Sequence, residues 1–484
     1  MSIAAVKRTG IVLSPDHSRV LFRPFELRDD VRVSRIVARV MQMTEAEVQR
    51  MLEMVMAEFH GRHTRLEQFF MDRFAAVRKH LLTDQPLTRP RQLLIGSYFT
   101  QEYALESAAL FNPSIVWHPD QRGVAPGSKR FIVSLRATGE GHISSLCFRS
   151  GVIDANGKIT IDAATPFVTP PAVVTSAAYD KPLFQRKLLE LGIANGFTSL
   201  VMDQLDASFT LEELQRAMAD ILRVHRHRPE EWDKTSEAMI GLAKANYTVT
   251  CDPDSQVSER VIFPYSPTET NGIEDARFVQ FHDDDGRSRY YATYTAYDGH
   301  VTFPQLMETT DFITFHISTL NGPEVRNKGM ALFPRKINGL YAMLSRQDGE
   351  QLYLMYSDNV HFWYEKELVL KPTYPWEYVQ VGNCGSPIET PHGWLVLTHG
   401  VGPMRKYSIG AILLDLDNPT QVIGRLAEPL LTPDANERNG YVPNVVYSCG
   451  SVLFGKWLVL PYAMADYAST FALVDYEALM AAML

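Results

Sequence analysis

Four stretches of the chain read alike: RYYATYTAYDG (residues 289–299), GLYAMLSRQDG (339–349), GWLVLTHGVG (393–402) and GKWLVLPYAMAD (455–466). Each is an aromatic or β-branched run that closes on polar residues and a turn, which predicts a strand and its exit. They start 50, 54 and 62 positions apart, close to the ~40–50 residues of a four-stranded propeller blade. An earlier copy, RFIVSLRATGEG from Arg130, makes five. The pattern therefore predicts a mainly β chain, a five-bladed β-propeller with an N-terminal helical extension and a helical insertion. Blades bring equivalent strand ends to one axis, so residues remote in the chain can share a site. Here those ends carry Arg136, Tyr294 with Asp298, Arg346, His399, and Tyr462 with Asp466.

Two segments break the strand pattern. From Asp29 to Leu82, VRVSRIVARVMQM and TEAEVQRMLEMVMAEF place apolar residues at helical spacing, and Thr44 with Glu47 forms a capping box. LFQRKLLELGIA, TLEELQRAMADILRVHRH and KTSEAMIGLAKA repeat the pattern between Lys181 and Asn246, with Thr210 and Glu213 as the second box. The expected division is a largely helical segment over 1–104, a propeller over 105–478 interrupted by the insertion 181–246, and a tail over 479–484. The N-terminal helices are expected to join copies of the chain. The insertion reads either as a second platform or as a lid over the propeller mouth. His60 and His63 share a helical spacing, but no neighbouring carboxylate or thiol completes a metal shell, so no metal is expected.

Composition narrows the function. Of 484 residues, 45% are apolar and 21% charged, with a net charge of −9, which disfavours disorder and a nucleic-acid footprint and leaves room only for a local anion site. Four cysteines without a CxxC pair fit a reducing, cytoplasmic setting. The first residues hold neither a signal h-region nor a membrane helix, so no membrane partner is expected.

Two stretches carry chemistry. NGIEDARF from Asn271 puts two acids at a strand start, where acids are depleted, and regular alternation allows only one of Glu274 and Asp275 to face a given cavity. RNKGMALFPRKINGLYAMLSR from Arg326 is a basic stretch in an acidic protein, suited to phosphate or carboxylate. Nucleotide-loop, zincin and serine-hydrolase motifs are absent.

Taken with FNPSIV from Phe111, SLRATGEGHISSL from Ser134, GSPIETPHGWLVLTHGV from Gly385 and ERNGYVPNVVYSCG from Glu437, these motifs resemble glycoside hydrolase family 130. The resemblance covers roughly residues 105–155 and 258–478, in order. It implies a five-bladed propeller acting as a β-mannoside phosphorylase, with inorganic phosphate as co-substrate, an oligosaccharide as partner and no cofactor. It also implies Asp275 as the catalytic acid, with Arg136, Arg326, Asn327, Arg346 and His399 holding phosphate. The sugar contacts it implies are Asn112, Glu274, Tyr294, Asp298, Glu389, Tyr462 and Asp466. Family hydrolases lack the phosphate-binding cations, so a β-mannosidase is the second reading and a non-catalytic carbohydrate-binding propeller the third. Two departures stand out: Ala276 follows Asp275 where proline is usual, and HISSL lacks a basic residue often seen there.

Overall fold

The alternating runs become four-stranded antiparallel meanders. A computed structural model describes residues 6–169, 171–175, 178–225, 227–297 and 302–483. Among them the first meander is Ala109–Trp117, Lys129–Thr138, Ser144–Ile153 and Ile159–Ile161. The second is Gly272–His282, Ser288–Tyr297, Thr302–Thr309 and Thr314–Thr319. Lys328–Leu332, Tyr341–Arg346, Leu352–Ser357 and Lys366–Leu370 make the third. Gln380–Asn383, Gly393–Val401, Tyr407–Leu414 and Val422–Arg425 make the fourth. In the last, Val446–Tyr447, Trp457–Met464 and Ala468–Asp475 are completed by the N-terminal strand Val6–Leu13. The protein is thus mainly β.

The apolar face of each sheet is buried against the next. Ile132 and Phe148 of the first meander pack with Phe278 and Ala292 of the second. Val279 and Phe281 then meet Met330 and Met343, Leu344 and Leu354 meet Val396, and Leu397 meets Leu460. The order closes on itself, because Phe471 and Leu473 of the last sheet pack on Val133 and Leu135 of the first. Full burial of one such side chain contributes about 1.5–3 kcal/mol.

Two boundaries differ from the expected division. Val6–Leu13 is a strand of the last sheet, so residues 1–104 are not a separate helical segment. Residues expected as a tail belong to the helix Tyr476–Met483, whose Leu479, Met480 and Met483 are buried between the fourth and fifth sheets. Leu484 lies outside the described residues.

The helical readings correspond to real elements. Asp30–Met41, Glu45–Phe59, Leu66–Val77 and Arg89–Ser97 form the N-terminal group, and Thr44 and Glu47 make both capping bonds. His63 stacks on Phe22 with a 3.5 Å centroid separation and bonds Glu102 at 2.7 Å, so it is a packed core histidine. The insertion holds Lys181–Glu190, Gly196–Asp203, Leu211–Val224 and Glu231–Lys244 around its own apolar core. Thr210 caps Leu211–Val224 with Glu213 as its partner. No helix among the described residues is long and apolar enough to cross a membrane.

Candidate active site

One cleft of about 200 Å³ draws its walls from all five sheets. Asn112 and Arg136 come from the first, Asp275 from the second, Lys328 and Arg346 from the third. Gln380, His399 and Tyr407 come from the fourth together with Arg405 of its turn, and Val445, Tyr447 and Asp466 from the last.

Local backbone distortion aims these side chains. The register of Gly272–His282 shifts between Glu274 and Arg277, and Asp275 has φ 55°. That bulge overrides the alternation of a regular strand and turns both acids toward Arg136. Arg136 donates from Nη2 to Glu274 at 2.8 Å and from Nη1 to Asp275 at 3.3 Å. The same device recurs at Asn112 (φ 49°), where the register shifts between Phe111 and Ser114. Another shift, between Lys328 and Ala331, contains Gly329 (φ 86°) and is preceded by Asn327 (φ 64°). Arg405 and Asp466 also have positive φ, at 54° and 50°. Such residues cost about 1–3 kcal/mol each and persist where surrounding contacts over-determine them.

Charge is divided unevenly in this cleft. The Asp275 carboxylate accepts from Asn112 Nδ2 at 2.6 Å. Burial works to raise its pKa, but Arg136, Arg277, Lys328 and the Asn112 bond outweigh burial and hold it below the ordinary range. Asp466 is the opposite case: burial first, then the Asp275 charge, push its carboxyl up to about 7 against the pull of Arg136 and Arg405. His399 is held well below its ordinary value by burial, then by Arg346 and Arg277. Its Nδ1 lies 3.1 Å from the Asn383 carbonyl oxygen, which can only accept, so Nδ1 carries the hydrogen. Nε2 therefore accepts from Arg346 Nη1 at 2.9 Å. In the free cleft His399 is a neutral anchor for Arg346 rather than a cation.

The cleft brings together Asn112, Arg136, Asp275, Arg346, His399 and Asp466 of the expected residues. Six of the others do not line it. Glu274 is buried and spent as an ion-pair partner, bridging Arg136 and Lys328, the latter at 2.7 Å. Tyr294 and Tyr462 are buried within the sheets, where their hydroxyls donate to Glu269 at 2.6 Å and Glu437 at 2.5 Å. Glu389 lines a different cavity of about 360 Å³ and pairs with Arg335 at 2.6 Å. Neither Arg326 nor Asn327 reaches the cleft wall; Asn327 lines a small neighbouring void. Asp298 lies outside the described residues.

Lys328, Gln380, Arg405, Tyr407 and Tyr447 were missed. Lys328 belongs to the basic stretch already singled out, and it stands at the register shift that precedes Ala331. Among the described residues, no wall residue comes from 181–246. That insertion meets the outer strand of the second sheet instead, through Lys187 Nζ to Thr319 at 2.8 Å, and the third through Arg186 to Tyr364 at 2.6 Å. Replacing 181–246 by a short linker is expected to leave preference among leaving-group sugars unchanged; a changed profile in a panel of acceptors would restore the lid reading.

Comparison with known proteins agrees with the motifs. A 1,2-beta-oligomannan phosphorylase of Thermoanaerobacter sp. is 33% identical over 246 residues, 49% of this chain and 80% of that protein. A beta-1,2-mannobiose phosphorylase of Listeria innocua is 29% identical over 335 residues, 66% of this chain and 86% of its own length. A solved structure of beta-1,2-mannobiose phosphorylase from Listeria innocua with beta-1,2-mannobiose superposes with a TM-score of 0.47 at 20% identity, covering 79% of this chain and 93% of that one. The glycoside hydrolase family 130 model, described as beta-1,4-mannooligosaccharide phosphorylase, matches residues 223–484, more than half of the chain and four of the five cleft-forming sheets. By that match, this chain belongs to glycoside hydrolase family 130.

Proposed function

We propose that the protein is an inverting β-mannoside phosphorylase that cleaves a short manno-oligosaccharide or mannosyl-sugar with inorganic phosphate to give α-mannose 1-phosphate. In this reading the five sheets are the blades of a β-propeller and the cleft lies at its axis. The setting is cytoplasmic, which four buried thiol cysteines suit. Copies associate through the N-terminal helices, where Met54 and Tyr98 are exposed. Phosphate is the only co-substrate, and no metal or organic cofactor is called on.

Arg346 carries the reading. Its Nη1 is anchored by neutral His399, while its buried Nε has no hydrogen-bond partner among the described residues. A buried donor left in this state costs about 1–3 kcal/mol, which an oxyanion offsets by supplying the acceptor. Lys328, Arg136 and Arg405 stand in the same cleft, and with Glu274 pairing the first two from behind the wall, four cations meet three carboxyl groups there. Phosphate is already an anionic nucleophile and needs no base. Held by Arg346 and Lys328, it attacks the anomeric carbon while Asp275 delivers a proton to the leaving oxygen on the other face.

Hydrolysis is the second reading, because Asp466 is another carboxyl group in the cleft. A base that activates water must be ionised, and burial beside Asp275 works against that in Asp466. Product analysis separates the readings: mannose 1-phosphate is expected only when phosphate is present. Free mannose formed equally without phosphate would establish a hydrolase, and no product from β-1,2- or β-1,4-mannosides would leave a binding protein.

Arg346→Ala is expected to raise the phosphate KM about 10–100-fold, the loss of a hydrogen bond to a charged group. The oligosaccharide KM should move far less. An unchanged phosphate KM would remove Arg346 from the anion site.

A further inference from the structure

The site leaves one proton unaccounted for. Asp275 is the residue read as the acid, yet Asn112 Nδ2 at 2.6 Å and Arg136 Nη1 at 3.3 Å both donate to its Oδ1, and Arg277 donates to its backbone carbonyl at 3.0 Å. Two donors on the carboxyl and the nearby charges of Arg136, Arg277 and Lys328 describe a carboxylate, not a carboxylic acid. An ionised group has no proton to deliver.

Asp466 faces the same cleft under the opposite conditions. Its carboxyl has no hydrogen-bond or ion-pair partner among the described residues, although burial removes it from most of the solvent. The backbone holds it there at φ 50°. Its turn is fixed from both sides: the Ala465 amide donates to the Val445 carbonyl at 2.8 Å, and the Leu110 amide to the Tyr467 carbonyl at 2.8 Å. The charged groups that act on it are Asp275 from the second sheet, Arg136 from the first and Arg405 from the turn of the fourth. Lys328, Arg346, His399, Tyr407 and Tyr447 complete the walls. An unpaired, half-buried carboxyl beside an ionised one favours its protonated form.

We propose that Asp466 supplies the proton that Asp275 delivers, the free cleft carrying one proton for the two acids, on Asp466. This rests on the phosphorolysis reading. When the sugar enters, its hydroxyls link the two acids and the proton moves from Asp466 to Asp275. A phosphate oxygen of the hydrogen-phosphate dianion bonds to the anomeric carbon, the bond from that carbon to the leaving oxygen breaks, and the leaving oxygen takes the proton from Asp275. The sugar phosphate is formed as its monoprotonated ester, whose second ionisation lies near ~6. It returns its proton to the Asp466 carboxylate, so atoms and charge balance over one turnover and no outside acid is needed. Asp466 is a positioning residue for the proton; Asp275 remains the group at the reacting oxygen.

The test compares a natural β-mannobiose, whose leaving oxygen must be protonated, with 4-nitrophenyl β-mannoside, whose leaving group departs as an anion. With wild-type enzyme at fixed phosphate, kcat/KM for mannobiose should fall through an alkaline limb centred near pH 7, where Asp466 loses its proton. The aryl substrate should lack that limb, and because both reactions use the same phosphate its own titration cancels. Asp466→Asn should slow mannobiose about 100-fold or more, the usual scale of acid catalysis, and slow the aryl mannoside only a few-fold. Identical pH profiles for the two substrates, or an equal loss on both in Asp466→Asn, would overturn the proposal and leave Asp466 as a sugar contact. The wild-type comparison stands even where the variant does not fold. Absence of phosphate-dependent product in wild-type enzyme is a separate outcome, which overturns the phosphorolysis reading itself.

Discussion

Asp275→Asn is expected to lower turnover of a manno-oligosaccharide by about 10²–10⁴-fold, the range that a positioned acid contributes. The substitution keeps the shape of the side chain and one acceptor oxygen, so Asn112 Nδ2 retains a partner where the carboxylate accepts at 2.6 Å. It removes the negative charge that balances Arg136 and Arg277 and the atom that can carry a proton to the leaving oxygen. Binding should survive in part, because Arg346 and His399 do not depend on Asp275 for their contact. The measurement is kcat with mannobiose and with an aryl mannoside, alongside the unfolding midpoint. The aryl substrate should regain part of the lost rate, since its leaving group needs little protonation. A variant that keeps more than about a tenth of wild-type kcat on mannobiose would place the acid elsewhere. Loss of the Asp275 charge also removes one of the causes that raise Asp466, so the Asp466 carboxyl should titrate at lower pH in the variant, while the alkaline limb of the mannobiose rate should disappear with the group that delivers the proton.

What could be read from the chain followed the range of the interaction. The helix starts at Thr44 and Thr210 depend on residues three apart and were legible. Repeated strand ends located Arg136, Arg346, His399 and Asp466, because equivalent ends of successive sheets do meet in one cleft. The same logic misplaced Tyr294 and Tyr462. Both sit at matching points of their sheets, but each hydroxyl answers a buried glutamate in the segment before its own meander, Glu269 and Glu437. Glu377 plays a similar part before the fourth sheet, accepting from the Thr373 and Tyr374 amides and pairing with Arg425. The signal was present in SPTE and TYPWE, a proline followed two residues later by glutamate, yet a buried acid looks like a surface turn until its partners are known. Bulges were the other gap. One extra residue at Asp275 decided that Glu274 joins Arg136 instead of turning away, and strand alternation alone gives the wrong answer there. Pairing of Val6–Leu13 with Ala468–Asp475 joins the two ends of the chain, which no local pattern reports.

The largest expected loss of stability lies away from the cleft, at Glu106→Ala. Glu106 is fully buried, as are Arg19 at 1% exposure and Arg149 at 5%, and its Oε1 meets Arg19 Nε at 3.1 Å and Arg149 Nη2 at 2.8 Å. Arg149 belongs to the first sheet, while Arg19 leads into the strand Val20–Pro24 of the N-terminal region. The acid thus holds two guanidinium groups that would otherwise repel each other without water to screen them. Arg149 also donates to the Phe148 carbonyl at 3.0 Å, and Arg19 bonds the carbonyl of Ser258 in the approach to the second sheet. Removing one member of a buried charge cluster typically costs about 3–5 kcal/mol, because the remaining charges stay buried and uncompensated. Against a usual total of about 5–15 kcal/mol, that is a large fraction, and it should show as a markedly lower denaturant midpoint. Replacing all three residues together by leucine or methionine should recover much of the loss, since apolar side chains of similar volume carry no desolvation penalty. If the single variant unfolds within about 1 kcal/mol of wild type, the cluster must be solvated in the native protein, as exposed ion pairs contribute only that much. If the triple variant is as unstable as the single one, the cluster's hydrogen bonds to backbone carbonyls, rather than its charge balance, join the N-terminal region to the first sheet.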